Sequence, residues 1–156
     1  MVRSILVAGG LLIAAAGPFD IPLRSTSTAP QARGTARLVY AASPFGVAVT
    51  ADGRSSYDVR LELSGLPEPS SLGDYTAYVA WITTTNLGQW HRLGTVRNGT
   101  TTVGRAELNK FLLVITAESD SLATKRAGPT ILHGPSPSTW LQSLLSHPLF
   151  RGIPPG

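Results

Sequence analysis

The chain has 156 residues, no cysteine and one methionine, with 13 basic against 9 acidic side chains and a formal charge of +4. Without cysteine there can be no disulfide, no thiolate nucleophile and no blue-copper centre, so stability rests on packing and the backbone ladder. The cations are scattered along the chain rather than gathered on one stripe with interleaved aromatics, which argues against a nucleic-acid surface.

At the start, Arg3 precedes an apolar run over residues 5–16 that closes on Ala14-Ala15-Ala16. This is the cation, apolar core and small-residue cleavage pattern of an export signal. The run is about twelve residues, short of the roughly 20 that a membrane-crossing helix needs. Residues 1–16 are therefore expected to be a signal peptide that directs the product to the periplasm or the extracellular space. No stable membrane span is expected after cleavage, and an uncleaved anchor is the rival reading. The remaining chain, about 140 residues, suits one domain with a sizeable core.

Residues 17–35 are rich in Ser, Thr, Pro, Gln and Arg, and are expected to be a flexible linker. From Ala36 the texture changes to short β-type runs. Residues 36–42 read as a first strand stopped by Ser43-Pro44, and residues 47–50 as another stopped by the turn dipeptide Asp52-Gly53. Residues 56–64 alternate cleanly. Tyr57, Val59, Leu61 and Leu63 are expected inward and Asp58, Arg60 and Glu62 outward, a pattern that fixes the register. Residues 65–73 carry two prolines and read as a loop. Residues 75–83 are apolar on both sides of the alternation, as in a central strand. Residues 89–96 and 100–108 flank Asn98-Gly99, which predicts a hairpin closed by a type I′ turn with positive φ at both positions. Residues 111–118 read as a second buried strand, residues 119–129 as a polar connection, and residues 130–133 as a last strand.

Seven or eight antiparallel strands at roughly ten-residue spacing predict an all-β fold, a single Ig-like β-sandwich over residues 36–134. Residues 135–156 differ: a serine cap precedes Trp140, Leu141, Leu144 and Leu145 at helical spacing, which predicts a short C-terminal helix ended by His147-Pro148.

Within the predicted sandwich, Tyr78-Val-Ala-Trp81, Leu93-Gly94, Phe111-Leu-Leu-Val-Ile-Thr-Ala-Glu118 and Gly128-Pro-Thr-Ile-Leu-His-Gly134 follow one another in order and spacing. This stretch, residues 75–134, resembles the extracytoplasmic C-terminal β-sandwich domain of anti-sigma-K-type regulators. The resemblance implies an exported sandwich related to a sensory module, without catalytic residues to carry over. The family's sigma-binding domain and transmembrane helix have no counterpart in the residues ahead of the match, so sigma-factor binding is not implied.

Candidate chemistry is sparse. His91, His133 and His147 show no metal-ligand spacing, and a metal site would need folding to bring His91 or His133 to carboxylates such as Asp74 or Glu118. Glu118 and Asp120 at a strand exit read as a solvated turn rather than as an acid–base pair. No Gly-x-Ser-x-Gly elbow or phosphate loop occurs. Trp81 reads as core and Trp90 as sheet packing. Trp140, Leu144, Leu149 and Phe150 either pack on the body or form a partner patch. Together these residues predict a non-enzymatic exported sensory or protein-interaction module, without cofactor, whose partner is another envelope protein. A metal- or small-molecule-binding accessory protein of the envelope is the second reading, and a hydrolase the third.

Overall fold

A computed structural model describes residues 19–41, 56–108 and 110–137. Eight antiparallel strands form one sheet, curled nearly into a barrel: β1 (Asp20–Ser25), β2 (Arg33–Tyr40), β3 (Tyr57–Ser64), β4 (Ala77–Thr83), β5 (Trp90–Val96), β6 (Gly99–Ala106), β7 (Leu112–Glu118) and β8 (Thr130–Pro135). The order across the sheet is β5-β4-β7-β8-β1-β2-β3-β6. Among the described residues the helical ones are a 3-10 turn, Pro69–Leu72, in the β3–β4 loop, and Pro137 alone. Residues 47–50 and the predicted C-terminal helix lie outside the described residues.

The alternation predicted for β3 is observed: Val59, Leu61 and Leu63 are buried, while Arg60 and Glu62 are exposed. Their inward faces meet Ile21, Leu23, Ala36 and Leu38 from β1 and β2, and Tyr78, Ala80, Ile82, Leu113, Ile115 and Leu132 from β4, β7 and β8. Each large aliphatic side chain so buried contributes about 1.5–3 kcal/mol. β4 and β7 are buried along their whole length or nearly so, because both of their faces are covered.

β1 corrects the expectation of a flexible linker over residues 17–35. Asp20 to Leu23 pair with β2, and then Arg24 and Ser25 pair with β8, so this one short strand joins two ladders. Ile21 is fully buried and Leu23 nearly so, while Ala29 and Ala32 of the β1–β2 turn are fully buried. Six residues with two inward apolar side chains form too short a period to stand out from polar neighbours, and only their partners reveal them as a strand.

The predicted Asn98-Gly99 hairpin is also corrected. The two strands flanking it form, but β5 pairs with β4 and β6 with β3, so the chain turns a corner there instead of closing a two-strand ladder. Gly99 has φ +103°, yet Asn98 is not among the residues with positive φ, so the turn is not type I′. Asn98 instead spends its side-chain amide on Leu66. Its Oδ1 accepts from Leu66 N at 2.9 Å and its Nδ2 donates to Leu66 O at 2.9 Å. The amide thus behaves as one more residue of a ladder and ties the β3–β4 loop to the corner. The outermost strands, β5 and β6, approach each other without a ladder: a Cβ on Gly104 would lie 2.9 Å from the Leu93 carbonyl oxygen, and one on Gly94 would lie 3.5 Å from Val103.

Candidate functional site

The register sorts the side chains of β4, β5 and β7 between the core and an outer face. Trp81 stands opposite Val114 and Arg92, and Val79 opposite Thr116 and Thr95. A bulge beside Leu93 breaks the β4–β5 register between Ala80 and Trp81. Leu93 packs on the core, while Trp90, Arg92 and Thr95 stand across from outer-face residues.

Trp81 is buried as expected, but on this outer face rather than in the main core. Its Nε1 donates to Thr116 Oγ1 at 2.9 Å, and that hydroxyl donates to Glu118 Oε1 at 2.5 Å. Glu118 also accepts from the backbone N–H groups of Ala127 (3.2 Å) and Gly128 (3.1 Å). Its side chain is only 2% exposed, so the expectation of a solvated turn is wrong for Glu118. A buried carboxylate must be hydrogen-bonded, and here the bonds come from a hydroxyl and two amides. Asp120 does sit in a turn: its Oδ1 accepts from Leu122 N and its carbonyl from Ala123 N.

These contacts make residues 119–129 a strap across the outer face. Arg92 donates to Ser121 O at 2.7 Å, and the Thr95 hydroxyl donates to the same oxygen at 3.1 Å. The Thr76 hydroxyl donates to Ser119 O. The Arg126 guanidinium lies 4.5 Å from the centre of the Trp90 ring, a cation–π contact. Gly128 lies so close to β7 that a Cβ there would meet the Ala117 carbonyl oxygen. The strap is therefore pinned at both ends and in the middle, and at its turn it holds Leu122 with 75% of its surface exposed.

No family model, curated protein or solved structure matches this chain. Function has to be read from the surfaces themselves.

The sequence-predicted histidines are not brought together. His91 stands opposite Ile82, whose side chain belongs to the core, whereas His133 stands opposite Val114 on the outer face and beside Arg24. They therefore occupy opposite faces of the sheet. Among the described residues no three His, Asp or Glu side chains group as metal ligands would. His147 and the predicted partner residues Trp140, Leu144, Leu149 and Phe150 lie outside the described residues.

Two further surfaces were not signalled by the sequence. A groove of about 730 Å³ opens between the β3–β4 loop and the β5–β6 corner, with Glu68, Arg97, Thr100 and Thr102 among its walls. Tyr78 there donates its hydroxyl to Pro67 O at 2.8 Å, and burial, with a smaller push from the Glu68 carboxylate, raises its phenol above the ordinary range. At the opposite end of the sheet, Phe19, Tyr40 and Tyr57 form a three-ring cluster with centroids 5.0–6.2 Å apart. Tyr40 stands directly opposite Tyr57. The neighbouring Tyr57 hydroxyl raises the Tyr40 phenol from its ordinary value.

Proposed function

We propose that this protein is an exported, non-enzymatic β-sandwich that acts by contacting another protein of the cell envelope. The observation that carries this reading is the strap. A loop with so many fixed points presents an exposed leucine, Leu122, and holds the Arg126 guanidinium against the Trp90 ring. Apolar and arginine anchors on a rigid frame are what a protein interface uses for affinity, because little conformational freedom is lost on docking. The switch of β1 from one ladder to the other supports a two-layer sandwich over a closed barrel. Kinship with the extracytoplasmic sandwich of anti-sigma-K-type regulators belongs to the same reading. It is supported by the way Trp81 and Glu118, two of the residues that carry the resemblance, meet through Thr116 in one network.

The test is a photo-crosslinking amino acid at Ala123 in the exported protein. A discrete adduct is expected, lost on Leu122→Asp while the melting curve is unchanged. An adduct that survives Leu122→Asp, or no adduct at all, removes the strap from the interface. Export itself is checked by N-terminal sequencing of the product, which is expected to begin near Gly17.

A further inference from the structure

The corner between β5 and β6 carries a reactive dipeptide. An asparagine side-chain amide is open to attack by the backbone nitrogen of the next residue, above all where that residue is a glycine with no side chain in the way. Gly99 follows Asn98 and offers no obstacle: even a Cβ placed on it would meet nothing within 4 Å. Both residues are exposed at the corner. The attack requires Asn98 Cγ to swing onto Gly99 N, and the amide is not free to swing. Its Oδ1 accepts from Leu66 N and its Nδ2 donates to Leu66 O, both at 2.9 Å. Gly99 is itself held in the β3–β6 ladder, opposite Leu63.

We propose that Asn98 is a site of spontaneous deamidation, controlled by its clamp on Leu66. While the β3–β4 loop holds the amide, Asn98 persists; when the loop opens, the amide is released to react. Gly99 N gives its proton to solvent and bonds to Asn98 Cγ. The Cγ–Nδ2 bond breaks, and Nδ2 takes up a proton and leaves as ammonia. Water then opens the cyclic imide at either of its two carbonyls, leaving aspartate or isoaspartate at position 98. The loop is fastened to the body close by, since the Tyr78 hydroxyl donates to Pro67 O at 2.8 Å. That bond therefore helps to set how often the clamp lets go.

The product cannot restore the clamp. A carboxylate still accepts from Leu66 N, but it has no donor for Leu66 O and sets a charged acceptor against that carbonyl. Isoaspartate also lengthens the main chain between Val96, which is buried opposite Tyr78, and the first pair of β6. Either product unfastens the β3–β4 loop from the corner, along the groove walled by Leu66, Glu68 and Arg97. Conversion runs one way, so the site records how often the loop has opened. This inference goes beyond the partner-binding reading and stands without it.

The test follows residue 98 by peptide mass spectrometry while the full chain is incubated in mildly alkaline buffer, folded or in concentrated urea. Conversion is expected in urea, and about tenfold or more slower in the folded chain, because it must wait for local opening. Tyr78→Phe removes the bond to Pro67 O and leaves Asn98 and Gly99 untouched, and it is expected to speed conversion of the folded chain. Ser71→Ala, which removes a bond to Glu68 O in the same loop, replaces it if Tyr78→Phe fails to fold. Thr116→Val weakens the fold away from the clamp and is expected to leave the rate unchanged. No conversion in urea overturns the site, and equal rates in the folded chain and in urea overturn its control by the clamp. A rate unmoved by the loop variant, or raised as much by Thr116→Val, overturns the loop as the element that opens. Converted chain, separated by its added negative charge, is expected to exchange the Leu66 N–H about tenfold faster, and unchanged exchange overturns the unfastening.

Discussion

Thr116 lies between the donor of Trp81 and the acceptor of Glu118, and its one hydroxyl joins the two on the buried outer face. Thr116→Val keeps the shape of the side chain and its β-branching, but leaves the indole N–H without its acceptor and deprives the carboxylate of one donor. A buried polar group that loses its partner costs about 1–3 kcal/mol. Thr116→Val is therefore expected to lower unfolding stability by that amount in urea titration, and an unchanged midpoint would show that the relay adds nothing. From sequence, Thr116 was only a polar residue inside an apolar strand. Glu118 was a carboxylate at a strand exit, a position where solvation is usual. Neither could be connected to Trp81 without the β4–β7 register, which sets residues 35 and 37 positions apart on one face.

At the scale of elements, the corner at Asn98 shows how a strong local signal gives way to pairing. Asn-Gly favours a tight two-residue hairpin, but β5 and β6 gain more from separate partners, which continue the apolar faces of β4 and β3. The asparagine side chain then takes over as a backbone mimic for Leu66. Asn98→Ala removes both of those bonds and is expected to cost about 1–2 kcal/mol, read as a shift of the urea midpoint at constant slope. A substitution without effect would mean that water replaces the amide freely. The strap follows the same logic. Residues 119–129 have the composition of a free loop, and they are ordered by what lies beneath them: a carboxylate, a guanidinium and an indole supplied by β7 and β5.

For the whole molecule, β1 is the element on which closure depends. It is the only strand that pairs with both β2 and β8, so without it the order across the sheet falls into one four-stranded and one three-stranded part that share no ladder. A chain beginning at Thr26 would also lose the fully buried Ile21 and the largely buried Leu23. Such a truncation is expected to abolish the cooperative unfolding transition, seen as a sloping rather than sigmoidal denaturation curve. A sharp transition at the normal midpoint would show that the two parts hold together through side chains alone.

By itself the sequence determined the all-β class, the absence of cysteine chemistry, the inward face of β3 and the doubly buried character of β4 and β7. Period-two alternation and unbroken apolar runs are local properties of the chain, and burial has to respect them whatever the topology. Only the tertiary structure decided that residues 20–25 are a strand, that Asn98 turns a corner, that Glu118 is buried, and that His91 and His133 lie on opposite faces. Each of these depends on which distant strand lies alongside, a choice made by the summed fit of all eight strands and written in no single segment.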